Sequence, residues 1–118
     1  MFNFEKLYVW QKAIDFADLV YDYTRYFPAD ERFGLTNQMP RAAVSVSSNI
    51  AEGTSRMSQT DFARFIEIAT GSVFEVVSQS FIGRRQGFLT EEAFGMLYSA
   101  ADEIGRMLSG LRKSLVSG

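Results

Sequence analysis

The chain has 118 residues, enough for one core of useful size and too few for a second. Hydrophobic residues make up 47% and charged residues 22%, ordinary globular values that exclude a disordered or fibrous chain. Twelve Lys and Arg against 14 Asp and Glu give a net charge of -2, so any surface for a polyanion has to be local; with no Cys and no His, disulfides, thiolate or imidazole metal sites and cysteine or histidine catalysis are excluded.

Met1 to Lys6 show no basic segment followed by an apolar run, and no stretch is expected to reach the ~18 to 20 apolar residues of a bilayer span. The expectation is a cytoplasmic protein that touches no membrane. From Glu5 to Phe27 apolar residues recur at helical spacing, which predicts a first helix with Leu7, Trp10, Ile14, Ala17, Tyr21 and Thr24 on its core face. Pro28 closes it, because a proline disfavours helical backbone in the residue before. Phe16, Leu19, Tyr23 and Tyr26 occupy a second face of the same helix. One side of a small bundle cannot bury both faces, so these four are predicted to meet another subunit.

A second helix is predicted to begin between Glu31 and Thr36 and to end at Gly53 as a left-handed cap, with Leu35, Met39, Ala42, Val46 and Ile50 as its core stripe. Pro40 predicts a late start or a bend near Asn37 to Pro40. Val44 and Ala51 add interface candidates. Beside the core stripe, Gln38, Arg41, Ser45, Asn49 and Glu52 fall in one narrow arc, a polar stripe read as a hydrogen-bonded ladder that fixes helix register, with a ligand or catalytic stripe as the functional alternative. Arg41 and Glu52 lie ~16 Å apart along a straight helix and cannot pair with each other. Glu67 and Glu75 are the candidate partners for Arg41. Glu52 is expected to find an arginine, so that Glu52→Ala lowers the melting temperature or the assembly state.

Ser58, with Asp61 behind it, is predicted to cap a third helix running to about Gln86, with Phe62, Phe65, Ile66, Ala69, Val73, Val76 and Ser80 facing the core. Phe74, Val77 and Phe81 complete the interface candidates. Arg84 and Arg85 complement the dipole in the last turn, and Gly87 is a natural stop. Thr90 opens a fourth helix whose seam is Phe94, Leu97, Ala101, Ile104, Leu108, Leu111 and Leu115. The predicted fold is all-α, a single-domain antiparallel up-and-down four-helix bundle.

Carboxylates at Glu52, Glu67 and Glu75 are the ones to consider for acid-base work, but di-iron bundles need Glu-x-x-His motifs that a chain without histidine does not supply. No catalytic, cofactor-binding or metal-binding residue is expected, nor a small-molecule substrate. Two non-enzymatic readings follow. The first is a self-assembling protein-interaction scaffold; the alternative is a nucleic-acid adaptor in which Arg41, Arg56, Arg84 and Arg85 are gathered by symmetry on an oligomeric surface.

Several segments carry a resemblance: Phe4-Glu5-Lys6-Leu7-Tyr8-Val9-Trp10-Gln11, Phe27-Pro28, Glu31-Arg32-Phe33-Gly34-Leu35-Thr36, Arg41-Ala42-Ala43-Val44-Ser45, and above all Ser48-Asn49-Ile50-Ala51-Glu52-Gly53. In these the chain resembles the bacterial four helix bundle family, also called the 23S rRNA intervening-sequence proteins. The resemblance implies a ring-shaped homopentamer and a relation to the accessory variability determinant proteins of diversity-generating retroelements, which are basic and bind nucleic acid and a reverse transcriptase. It therefore implies self-association, with RNA or a nucleic-acid-processing protein as further partner. The chain departs from the family pattern at Pro40, where a second arginine is common, at Ser47, where a proline is common, and over Val76 to Gly87.

Overall fold

The computed structural model describes residues 1–117. They form α1 (Tyr8–Thr24), α2 (Leu35–Gly53), α3 (Gln59–Arg85) and α4 (Glu91–Val116), with 310 turns at Asn3–Lys6 and Ala29–Glu31 and no strand among the described residues. Each helix packs on its neighbours in sequence, and α1 closes the bundle against α4. Antiparallel order is written in the contacts. Ser45 meets Ser72 while Gly53 lies against Phe62, and Glu67 meets Arg112 while Arg84 meets Glu91, so numbers rise on one helix as they fall on the next. The result is a rod of 46 × 22 × 20 Å.

α1 is shorter than its periodicity predicts, because residues past Thr24 turn toward Pro28 and the Phe27 N–H bonds the Thr24 carbonyl at 3.0 Å. Its seam also lies one residue earlier than expected. Val9, Ala13, Phe16, Ala17, Val20 and Thr24 are buried, whereas Ile14 and Tyr21 are exposed. A helix apolar on two faces fits either register; what decides is that small side chains such as Ala13 let α1 sit close between α2 and α4.

α2 starts at Leu35 without a side-chain cap at Gly34; instead the Glu31 carboxylate accepts the Leu35 N–H at 3.3 Å. The helix starts five residues before Pro40, so the late start does not occur. Pro40 sits buried inside the helix in its second turn, so the loss is one hydrogen bond near an end already short of partners. Gly53 corrects an expectation. It is still helical, and the sole positive φ among the described residues is that of Gly87, at 81°. What Gly53 supplies is room: a Cβ there would lie 2.8 Å from Phe62 Cδ1 and 3.0 Å from Phe65 Cβ.

α3 and α4 begin where their caps predict. Ser58 Oγ accepts the Asp61 N–H at 3.1 Å, and Thr90 Oγ1 accepts the Ala93 N–H at 3.0 Å. Gly87 closes α3 in left-handed backbone, with the Phe88 N–H on the Gly83 carbonyl at 2.8 Å. Ile66, Ala69, Val73, Val76 and Ser80 are buried as predicted, Phe62 and Phe65 half-buried. On α4, Phe94, Leu97, Ala101, Ile104 and Leu108 are buried and Leu111 and Leu115 pack on the core edge. At this pole the Phe27 ring, from the α1–α2 connection, packs on Phe88 of the α3–α4 connection with centroids 5.5 Å apart.

The apolar content of α3 corrects another expectation. By length and composition it reaches a membrane-spanning threshold, with a mean hydropathy of 1.2 over 18 residues. Core helices meet the same measure, and α3 packs between α2 and α4.

Candidate interaction surfaces

The polar stripe divides. Asn49 and Ser45 are half-buried, and Asn49 Nδ2 donates to the Ser45 carbonyl at 2.8 Å and to Ser45 Oγ at 3.0 Å. Ser45 and Ser72 hydroxyls share a 2.9 Å hydrogen bond, and Ser72 donates to the Ile68 carbonyl at 3.3 Å. With the Ser72 proton on that carbonyl, Ser45 donates to Ser72, so the ladder runs Asn49, Ser45, Ser72, Ile68 across the α2–α3 seam. Ser72 was not foreseen as part of it.

Gln38, Arg41 and Glu52 remain exposed. The expected partners go elsewhere: Glu67 accepts from Arg112 Nε at 2.6 Å and Glu75 from Gln79 Nε2 at 3.3 Å. Among the described residues neither Arg41 nor Glu52 makes an ion pair. Gln38, Arg41, Ser45 and Glu75 border a shallow depression of about 290 Å3. Gln79, which holds Glu75, is buried with its Oε1 unpartnered, a second polar group the sequence did not single out.

The four arginines are not brought together. Arg56 precedes α3 and lies over the Phe65 ring at 4.4 Å, whereas Arg84 is in the last turn, ~40 Å away along the helix. Arg84 stacks over Phe94 at 3.9 Å and Phe81 at 5.2 Å and reaches Glu91 at 3.6 Å, so it is spent on packing. Arg85 is exposed and makes no ion pair among the described residues. Lys12, on α1, lies 3.2 Å from Glu103 of α4 and 5.4 Å over the Tyr8 ring; hydrogen bonding to Glu103 first, and to Tyr8 second, holds its ammonium above the ordinary lysine pKa.

Of the apolar candidates, Phe16 is 1% exposed and fills the core, so it cannot meet a neighbour; the shifted α1 seam is the cause. Leu19, Tyr23 and Val77 are half-buried at the core edge. Ala51 is half-buried as well. Tyr26, Val44, Phe74 and Phe81 are exposed, Phe74 by 68% and Phe81 by 41%. Phe74, Val77 and Phe81 of α3 face Tyr98, Ala101 and Gly105 of α4 across a groove of about 790 Å3, with the Asp102–Arg106 pair on its rim. Phe81 meets Phe94 edge-on at 4.9 Å, and a Cβ built on Gly105 would meet nothing within 4 Å. Tyr98 is missed by a seam-based reading because it lies off the seam, on the outer side of α4.

Comparison with known proteins bears on this architecture. A crystal structure of a protein of unknown function from the S23 ribosomal protein family of Bacteroides thetaiotaomicron superimposes with a TM-score of 0.82 at 23% identity, covering 89% of this chain and 98% of that one. At that identity the likeness speaks for the fold. Among curated proteins none matches the chain. The sequence profile of the 23S rRNA-intervening sequence proteins matches residues 5–110, nearly the whole bundle. The chain belongs to the 23S rRNA-intervening sequence protein family.

Proposed function

We propose that the protein is a non-enzymatic scaffold that assembles with copies of itself through its exposed apolar faces, into the ring-shaped homopentamer that its family resemblance implies. The observation that carries the reading is the α3–α4 groove. Aromatic rings at Phe74, Phe81 and Tyr98 stand in solvent around it, on a rod whose core is already filled by other residues. Contiguous apolar surface of this kind is what subunit contacts cover. Glu52, Glu67 and Glu75 are exposed, Glu67 on Arg112 and Glu75 on Gln79, and the scaffold reading asks no chemistry of them.

Light scattering at micromolar concentration tests this. The expected mass is five times the 13.3 kDa of one chain. A mass of one chain overturns self-assembly, and a different multiple overturns the ring size alone. Fluorescence anisotropy with a structured RNA at low salt tests the adaptor reading. With Arg84 held in packing and Arg56 at the far end of the bundle, a flat signal is expected; affinity that falls with salt on logarithmic axes would favour the adaptor instead.

A further inference from the structure

We infer that the contact between copies is head-to-tail, with the outer face of α1 of one copy seated in the α3–α4 groove of the next. This rests on the self-assembly proposed above and assigns its two faces. α1 neighbours α2 and α4, so its outer flank lies on the side of the rod away from the α3–α4 groove. Lys12 reaches α4 through Glu103, and Ile14 and Tyr21 stand roughly 180–200° around the helix from Lys12, pointing away from α4. They are 36% and 48% exposed. The molecule thus carries two different apolar faces, and a contact that joins unlike faces leaves each copy with one of each to offer, which is how rings and filaments grow.

Charge and height agree with the pairing. Beside Tyr21, Asp18 is exposed and makes no ion pair among the described residues, while Arg85, one turn beyond Phe81 and about one to two turns above the level of Asp18, is exposed and likewise unpaired. The Lys12–Glu103, Glu67–Arg112 and Arg84–Glu91 contacts fix the levels of three helices. They put Ile14 level with the Phe74 to Phe81 stretch and Tyr21 near its Arg85 end. In a cyclic assembly whose axis runs parallel to the rod, residues at equal height meet. The open space above Gly105 is where a side chain of the incoming helix enters.

The test uses two variants, each blocking one face. Gly105→Trp fills the groove without touching the core, since nothing lies within 4 Å of a Cβ there, and Tyr21→Lys spoils the α1 face at an exposed position. Circular dichroism melts establish that both fold. Each variant alone is expected to lose assembly and run at the mass of one chain. Mixed in equal amounts, they are expected to give a complex of two chains, because the intact groove of one accepts the intact α1 face of the other; the mixture is measured at about tenfold the concentration that assembles wild type, to offset the lost ring closure. A mixture that stays at one chain, or single variants that assemble like wild type, overturns the assignment of faces while leaving self-assembly in place. Wild type at the mass of one chain overturns the self-assembly on which the assignment rests.

Discussion

The hydroxyls of Ser45 and Ser72 meet at 2.9 Å across the α2–α3 seam, and Asn49 Nδ2 closes on Ser45 from one turn further along. Each group is half-buried or better, so each bond is sheltered from water. Asn49→Ala removes two donated bonds and is expected to cost about 1 kcal/mol in denaturant unfolding. Asn49→Ala combined with Ser72→Ala should fall short of the sum of the single effects, by about 0.5 kcal/mol, because they share Ser45. Glu52→Ala, exposed and unpaired, should stay within about 0.5 kcal/mol of wild type, contrary to what its place in the polar stripe suggests.

Gly53→Ala is expected to destabilise by about 1–3 kcal/mol although alanine is the better helix former, because the added carbon is driven against Phe62 and Phe65. In a Phe62→Ala background, where the ring carbons at 2.8 and 3.1 Å are gone, the same Gly53→Ala change should cost less than in wild type in a thermal melt.

Arg84 and Arg85 are neighbours with different employment. Arg84→Ala gives up stacking on Phe94 and Phe81 and the contact to Glu91, and is expected to cost about 0.5–1 kcal/mol, with a change in near-ultraviolet circular dichroism from the loosened rings. Arg85→Ala should leave the melt of the isolated chain unchanged and weaken assembly.

Lys12→Met is expected to show a small stability deficit near neutral pH that closes in alkali. The folded chain holds the Lys12 proton more tightly than the unfolded chain does, through Glu103 and then Tyr8. The contribution is therefore complete below the ordinary lysine pKa and fades as pH climbs through the raised one. Chemical unfolding of both proteins from pH 7 to about 11 measures it.

Much of the bundle is legible from sequence because its punctuation is chemical. Ser58 and Thr90 cap where a hydroxyl can accept an N–H, Gly87 turns where only glycine is free to, and the α4 seam has polar residues on its other side to mark which way is in. α1 has no such contrast. With Ile14 and Tyr21 on one side and Phe16 and Val20 on the other, spacing alone gives two registers, and packing between α2 and α4 selects the one that buries Phe16. The polar stripe is half legible for a related reason: periodicity shows that Ser45 and Asn49 border the core, but the choice of Ser72 as partner depends on the relative height of α2 and α3. Glu67 and Arg112 find each other through a similar accident of height between α3 and α4.

The ring contact between Phe27 and Phe88 joins the turn of the first hairpin to the turn of the second. It works as a clasp: the halves of the chain cannot swing apart like jaws without parting these rings. Any exchange of hairpins between molecules has first to pass through that opening, so the rings hold the closed molecule at the step where exchange would begin.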